Sequence, residues 1–174
     1  MKLVRWKRFT WDLTQIPPAE SVSTHPYSAR PATVEDNEAV SKIILSAFTL
    51  DSTWSDTFAN IREWLTTQIA AAFEREVAPA VVITHGSRII AASALSTEAD
   101  AETHLISGPC VSMEYRNRGL GTALLFHTLN HLRQAGLRSV HGVTKDAISA
   151  AKFVYPKFGG VVEDYDFHPE LVRT

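Results

Sequence analysis

The chain has 174 residues, 45% hydrophobic and 21% charged, a balance that suits one globular domain with its own core and excludes a fibre or a disordered tail. Its formal charge of -2 leaves no global excess of Lys and Arg for nucleic acid or anionic lipid, so any anion site must be local. The single cysteine, Cys110, excludes an intramolecular disulfide and a multi-cysteine metal site, and fits a reducing compartment.

Residues 1–29 mix basic and aromatic side chains (Trp6, Phe9, Trp11) with Ile16-Pro17-Pro18 and a polar Ser/Thr run, without sustained periodicity. They read as an N-terminal extension ahead of a domain over 30–174. Its two tryptophans are expected to cover part of the core, with partner binding or homodimerisation as the alternative. The basic start lacks the apolar run and cleavage site of a signal peptide, and no stretch approaches the roughly 20 apolar residues of a membrane span. A cytoplasmic protein is the expectation.

From Arg30 a short strand runs into Thr33-Val34-Glu35-Asp36, where Thr33 and Asp36 have the spacing of a capping box. Val40, Ile43, Ile44, Ala47 and Phe48 then predict a helix with one buried face. Trp54, Phe58, Ile61, Leu65, Ile69, Ala72 and Phe73 predict a second, capped by Asp51 or Ser52. After Pro79 the texture turns to β: Ala80 to Thr84, a His85-Gly86-Ser87 turn and Arg88 to Leu95 form a hairpin. An acidic loop, Ser96 to Glu102, leads to a strand over 104–111. Gly119 to Ala135 reads as a long helix ended by Gly136, followed by a strand over 139–143, a helix over 147–158 and a last strand over 161–167.

The stretch that carries chemistry is Arg116-Asn117-Arg118-Gly119-Leu120-Gly121-Thr122, where a strand gives way to a glycine-bearing turn opening a helix. First-turn N–H groups of a helix lack internal partners and carry the positive end of its dipole, so an anion placed there satisfies them. Gly119 and Gly121 leave the backbone approachable, and Arg116 and Arg118 add cationic donors. A Walker loop requires a lysine that this turn does not have, since none occurs between Gly119 and Lys145. A dinucleotide fingerprint requires a third glycine where Leu124 stands.

The pattern Arg116-x-x-Gly119-x-Gly121 resembles the acetyl-CoA signature of the GNAT superfamily of N-acetyltransferases, and Ala151 to Gly160 looks like that family's second conserved block. The element order from Arg30 onward is similar as well. This resemblance implies an α/β fold with a mixed, mostly antiparallel central sheet flanked by helices, and a V-shaped splay between the two central strands. It further implies acetyl-CoA as co-substrate, no metal, and transfer of the acetyl group to a primary amine of a small-molecule or peptide acceptor. Val111 and Met113 would offer backbone groups to the pantetheine arm, and the amides of Arg116, Asn117, Arg118, Gly119, Leu120, Gly121 and Thr122 would take the pyrophosphate. Tyr155 would protonate the leaving thiolate.

Glu102 is the first candidate for the amine's proton, beside Glu98 and His104. Two departures stand out: Ile148 occupies the place of an asparagine seven residues before the tyrosine, and the second block ends Gly159-Gly160 rather than Gly-Phe. A catalytically silent CoA-binding or interaction module of the same fold is the rival reading. His127 and His131 have metal-ligand spacing but lack a third ligand, and Cys110 reads as a buried strand residue. Asp51, Asp56, Glu98, Asp100 and Glu102 hint at a cationic acceptor.

Overall fold

The computed structural model describes residues 4–171, which form two sheets and four α-helices. Strand β1 is Trp6–Asp12 and β2 is Ser28–Pro31; α1 (Asn37–Leu50) and α2 (Phe58–Arg75) follow, then β3 (Ala80–His85) and β4 (Arg88–Ala94). After a long connection come β5 (Cys110–Val111), α3 (Leu120–Gln134), β6 (Ser139–Lys145), α4 (Ser149–Phe153) and β7 (Val161–Tyr165). One sheet has the order β2-β3-β4-β5 and the other β6-β1-β7, and every pair is antiparallel. Among the described residues no helix is long and apolar enough to cross a membrane.

Local chemistry explains most boundaries. The Thr33–Asp36 capping box forms and leads into α1, which buries Val40, Ile44 and Phe48. Asp51 caps a single turn over Ser52–Trp54 rather than α2 itself, which starts at Phe58. Gly136, at φ 100, ends α3 in the left-handed conformation that glycine adopts without strain. Both α1 and α3 pack against β4, whose residues Ile90 to Ala94 are all buried. That burial accounts for an apolar run in place of an alternating one.

Three elements differ from the sequence reading. Trp6–Asp12 is not irregular: it is the middle strand of its sheet, with Phe9 opposite Gly142 on one side and Val162 on the other. Phe9 and Trp11 are buried on one face and Trp6 on the other, so no simple alternation marks the strand, and the intervening Lys7, Arg8 and Thr10 belong to a strand flanked on both edges. The helix expected over 147–158 is cut to Ser149–Phe153 because Pro156 disfavours helical geometry at Tyr155. The strand expected over 104–111 is broken: Leu105 bridges Leu95, Gly108 turns at φ 65, and only Cys110–Val111 pairs with β4. Gly108-Pro109 is the interruption.

That break sets up the site. At Thr103 to Leu105 the chain is tied to β6, with the His104 N–H donating to the His141 carbonyl at 2.7 Å and Val143 N–H donating to Thr103 Oγ1 at 3.0 Å. Further on, Cys110–Val111 belongs to one sheet and β6 to the other, so the two central strands part into a V.

Candidate active site

At the wide part of the V, Ser112 leaves β5 and a turn over Met113–Tyr115 delivers the chain to the start of α3. Asn117 sits at φ 63 and Gly119 at φ 76, both left-handed, a conformation asparagine tolerates and glycine adopts freely. Gly119 is the N-cap and supplies no side-chain cap, so the first amides of a 15-residue helix are left for a ligand. A Cβ added at Gly119 would touch nothing within 4 Å, and one at Gly121 would meet only Val154 Cγ2 at 3.9 Å. The space over the turn is therefore open.

Tyr155 faces the same opening from the other side, 2% exposed. Its N–H donates to the Ala150 carbonyl at 2.8 Å, which fixes the backbone where α4 ends. Phe9 packs edge-on against its ring at 5.3 Å between centroids, and Trp11 lies at 5.8 Å. The hydroxyl rests directly over Gly108, where a Cβ would come within 1.8 Å of it. Behind it, Gly160 fits because any Cβ would stand 2.4 Å from the Tyr155 carbonyl and 2.8 Å from Trp11 Nε1. This accounts for Gly159-Gly160 in place of Gly-Phe. Burial pushes the Tyr155 phenol well above its ordinary range, with the neighbouring Cys110 adding to the shift and the Thr144 side chain opposing it. The group stays protonated at physiological pH.

A cavity of about 440 Å³ joins these parts. The turn lines it through Arg116, Asn117, Gly119, Leu120, Gly121 and Thr122, β5 through Cys110 and Val111, α4 through Ser149 and Phe153, and the residues just after α4 through Val154 and Tyr155. Ile148 contributes an apolar wall as the N-cap of α4, with no side-chain cap bond. The sequence model of the Acetyltransferase (GNAT) family matches residues 38–159, well over half of the chain and all of this cavity's wall. The chain belongs to the GNAT acetyltransferase family. No curated protein matches it. Among solved structures it is similar to a GCN5-related N-acetyltransferase from Sphaerobacter thermophilus, at 19% identity and a TM-score of 0.67 over 94% of this chain and 50% of that one. It is likewise similar to a GNAT-family acetyltransferase from Colwellia psychrerythraea, at 16% identity and a TM-score of 0.64 over 93% and 56%. A GCN5-related N-acetyltransferase from Kribbella flavida gives 16% and 0.59 over 93% and 56%. The chain thus spans about half the length of these structures, and the likeness is one of fold.

Within this GNAT fold the remaining sequence candidates fall elsewhere. Met113 is 55% exposed and does not line the cavity. Arg118 is also outside the lining; its guanidinium donates to the Tyr27 hydroxyl at 2.6 Å and stands over the Tyr115 ring. Glu102 is exposed and accepts the Tyr165 hydroxyl at 2.6 Å, away from the cavity lining. Glu98 pairs with Arg75. His104 is buried, its Nδ1 accepting the His141 N–H at 2.9 Å and its Nε2 donating to the Glu98 carbonyl at 2.8 Å. Those two bonds require the neutral imidazole, and burial lowers its pKa accordingly. Cys110 lines the cavity, but burial raises its thiol to about 12, which leaves it a poor nucleophile. The signal that sequence reasoning passed over was Gly108-Pro109, a breaker inside a supposed strand. Trp11 and Gly160 carried no such signal, because their role depends on a strand from the far end of the chain.

Proposed function

We propose that the chain transfers the acetyl group of acetyl-CoA directly to a primary amine. The observation that carries this reading is that one cavity contains both an uncapped, glycine-lined helix start and a buried, protonated tyrosine. The open space over Gly119 and Gly121 and the free first-turn amides of α3 fit a diphosphate, with Arg116 on the cavity wall as a cationic donor. Val111 offers its backbone where β5 parts from β6. Acetyl-CoA supplies an acyl group already activated as a thioester.

The chain's part is to hold both reactants and manage protons. The amine nitrogen bonds to the thioester carbonyl carbon, the carbon–sulfur bond breaks, and sulfur takes the Tyr155 proton. The nitrogen gives up its own proton to solvent, which restores the phenol. Solvent fills this role because Glu98, Glu102 and His104 are each engaged elsewhere.

Calorimetry tests the cofactor. Saturable binding of acetyl-CoA, none of ATP, and a loss of at least about tenfold in affinity for Gly121→Trp are expected, since a side chain there fills the anion's approach. No binding of acetyl-CoA at millimolar concentration would overturn the reading.

A further inference from the structure

The other wall of the cavity comes from the end of α1 and the connection to α2: Ala47, Phe48, Asp51 and Trp54. Asp51 is the single carboxylate in the lining. Its Oδ1 accepts the Thr53 N–H at 3.0 Å and the Thr53 hydroxyl at 2.7 Å, which locks the side chain in place. Oδ2 has no protein donor among the described residues. Lys145 gives its ammonium hydrogen bonds to Asp56 and the Thr53 carbonyl rather than to Asp51, and it lies 5.8 Å from the Trp54 ring centroid. Beside Asp51 stand two aromatic rings, Phe48 and Trp54, with centroids 4.7 Å apart.

A fixed carboxylate with a free oxygen, beside the Phe48 ring, is a receptor for an organic cation, chiefly through charge-assisted hydrogen bonding. The same carboxylate raises the proton affinity of any amine it holds, so the nitrogen bound there stays an ammonium and cannot attack the thioester. A cation on Asp51 and a nucleophile at the acetyl group must therefore be different nitrogens.

Resting on the acetyltransferase reading, we propose that the acceptor carries a cationic group besides the nitrogen that is acetylated, and that Asp51 holds it. Asp51 then sets specificity, and the acceptor belongs to the class of diamines and larger polyamines or of amines with a second basic centre.

The test compares 1,4-diaminobutane with butylamine at saturating acetyl-CoA. Both are cations in solution, so only the second charge distinguishes them. The wild-type chain is expected to favour the diamine by about tenfold or more in kcat/KM, the yield of one charge-assisted contact. Asp51→Asn keeps an oxygen for the Thr53 cap, so its melting temperature should hold while the preference collapses toward one. Equal kcat/KM for the two amines in wild type, or a preference unchanged in Asp51→Asn, would overturn the proposal and leave the transferase standing. Failure of the wild-type chain to bind acetyl-CoA by calorimetry would sink both.

Discussion

Tyr155 is held by four neighbours that come from four separate stretches of chain: the Ala150 carbonyl, Gly108, Gly160 and the Phe9–Trp11 pair. None of these contacts leaves room for adjustment, since the two glycines would clash with Tyr155 on gaining a single carbon. A phenol fixed this way stays protonated, as the proton donation proposed above requires. Tyr155→Phe should therefore lower kcat by about 10²-fold or more while acetyl-CoA affinity, read by calorimetry, stays within about twofold. A variant with unchanged kcat would remove Tyr155 from the mechanism.

At the scale of elements, the instructive one is β1. It joins β6 to β7, and through Phe9 and Trp11 it builds the floor under Tyr155. Trp11 also donates its indole N–H to the Lys157 carbonyl at 2.9 Å, tying the strand to the segment after α4. Its exposed charges pair along the edge with β7, Arg8 with Glu163 at 2.9 Å, and such surface pairs contribute little. The stabilisation lies in the buried rings. Trp11→Ala should cost about 3–5 kcal/mol in urea denaturation, because it opens a cavity against Tyr155 and removes one of the two donors to the Lys157 carbonyl. A cost below about 1 kcal/mol would mean that β1 is not integral to the second sheet.

For the whole molecule, four histidines are lowered by burial: His104, His127, His131 and His141. His127 Nε2 is buried without a hydrogen-bond partner among the described residues, and the His104 and His141 rings lie tilted 5.7 Å apart, so a proton on either repels the other. The unfolded chain binds protons near the ordinary histidine value of 6.5, whereas the folded chain binds them only at lower pH. Between those limits the unfolded state holds more protons at these four sites, so their contribution to stability is complete above about pH 6.5 and falls as the pH drops below it, against the smaller, opposite effect of the exposed His168, whose value Asp166 and Glu170 raise. Urea midpoints measured from pH 7.5 to 5 should decline over the lower part of that range. A flat profile would show that these histidines titrate alike in both states.

The sequence by itself determined the hairpin, α1, α3 and the glycine turn, because each is specified by neighbours within a few residues: a capping box at Thr33, a helix stop at Gly136, and glycines at 119 and 121 that leave the turn open. The resemblance set Tyr155 near the turn, and Tyr155 and the turn line one cavity. What only the tertiary structure decided depends on residues far apart in the chain. Tyr165 and Trp6 are remote until β1 enters between β6 and β7 and pairs them. Gly160 has no local reason to be glycine until Trp11 arrives behind it. Among five acids that looked alike, Asp51 reaches the cavity while Glu98 and Glu102 spend their charge on Arg75 and Tyr165. Local preference is written in adjacent residues, but a site's walls are set by the long-range packing that buries one face of each element and leaves another facing the opening.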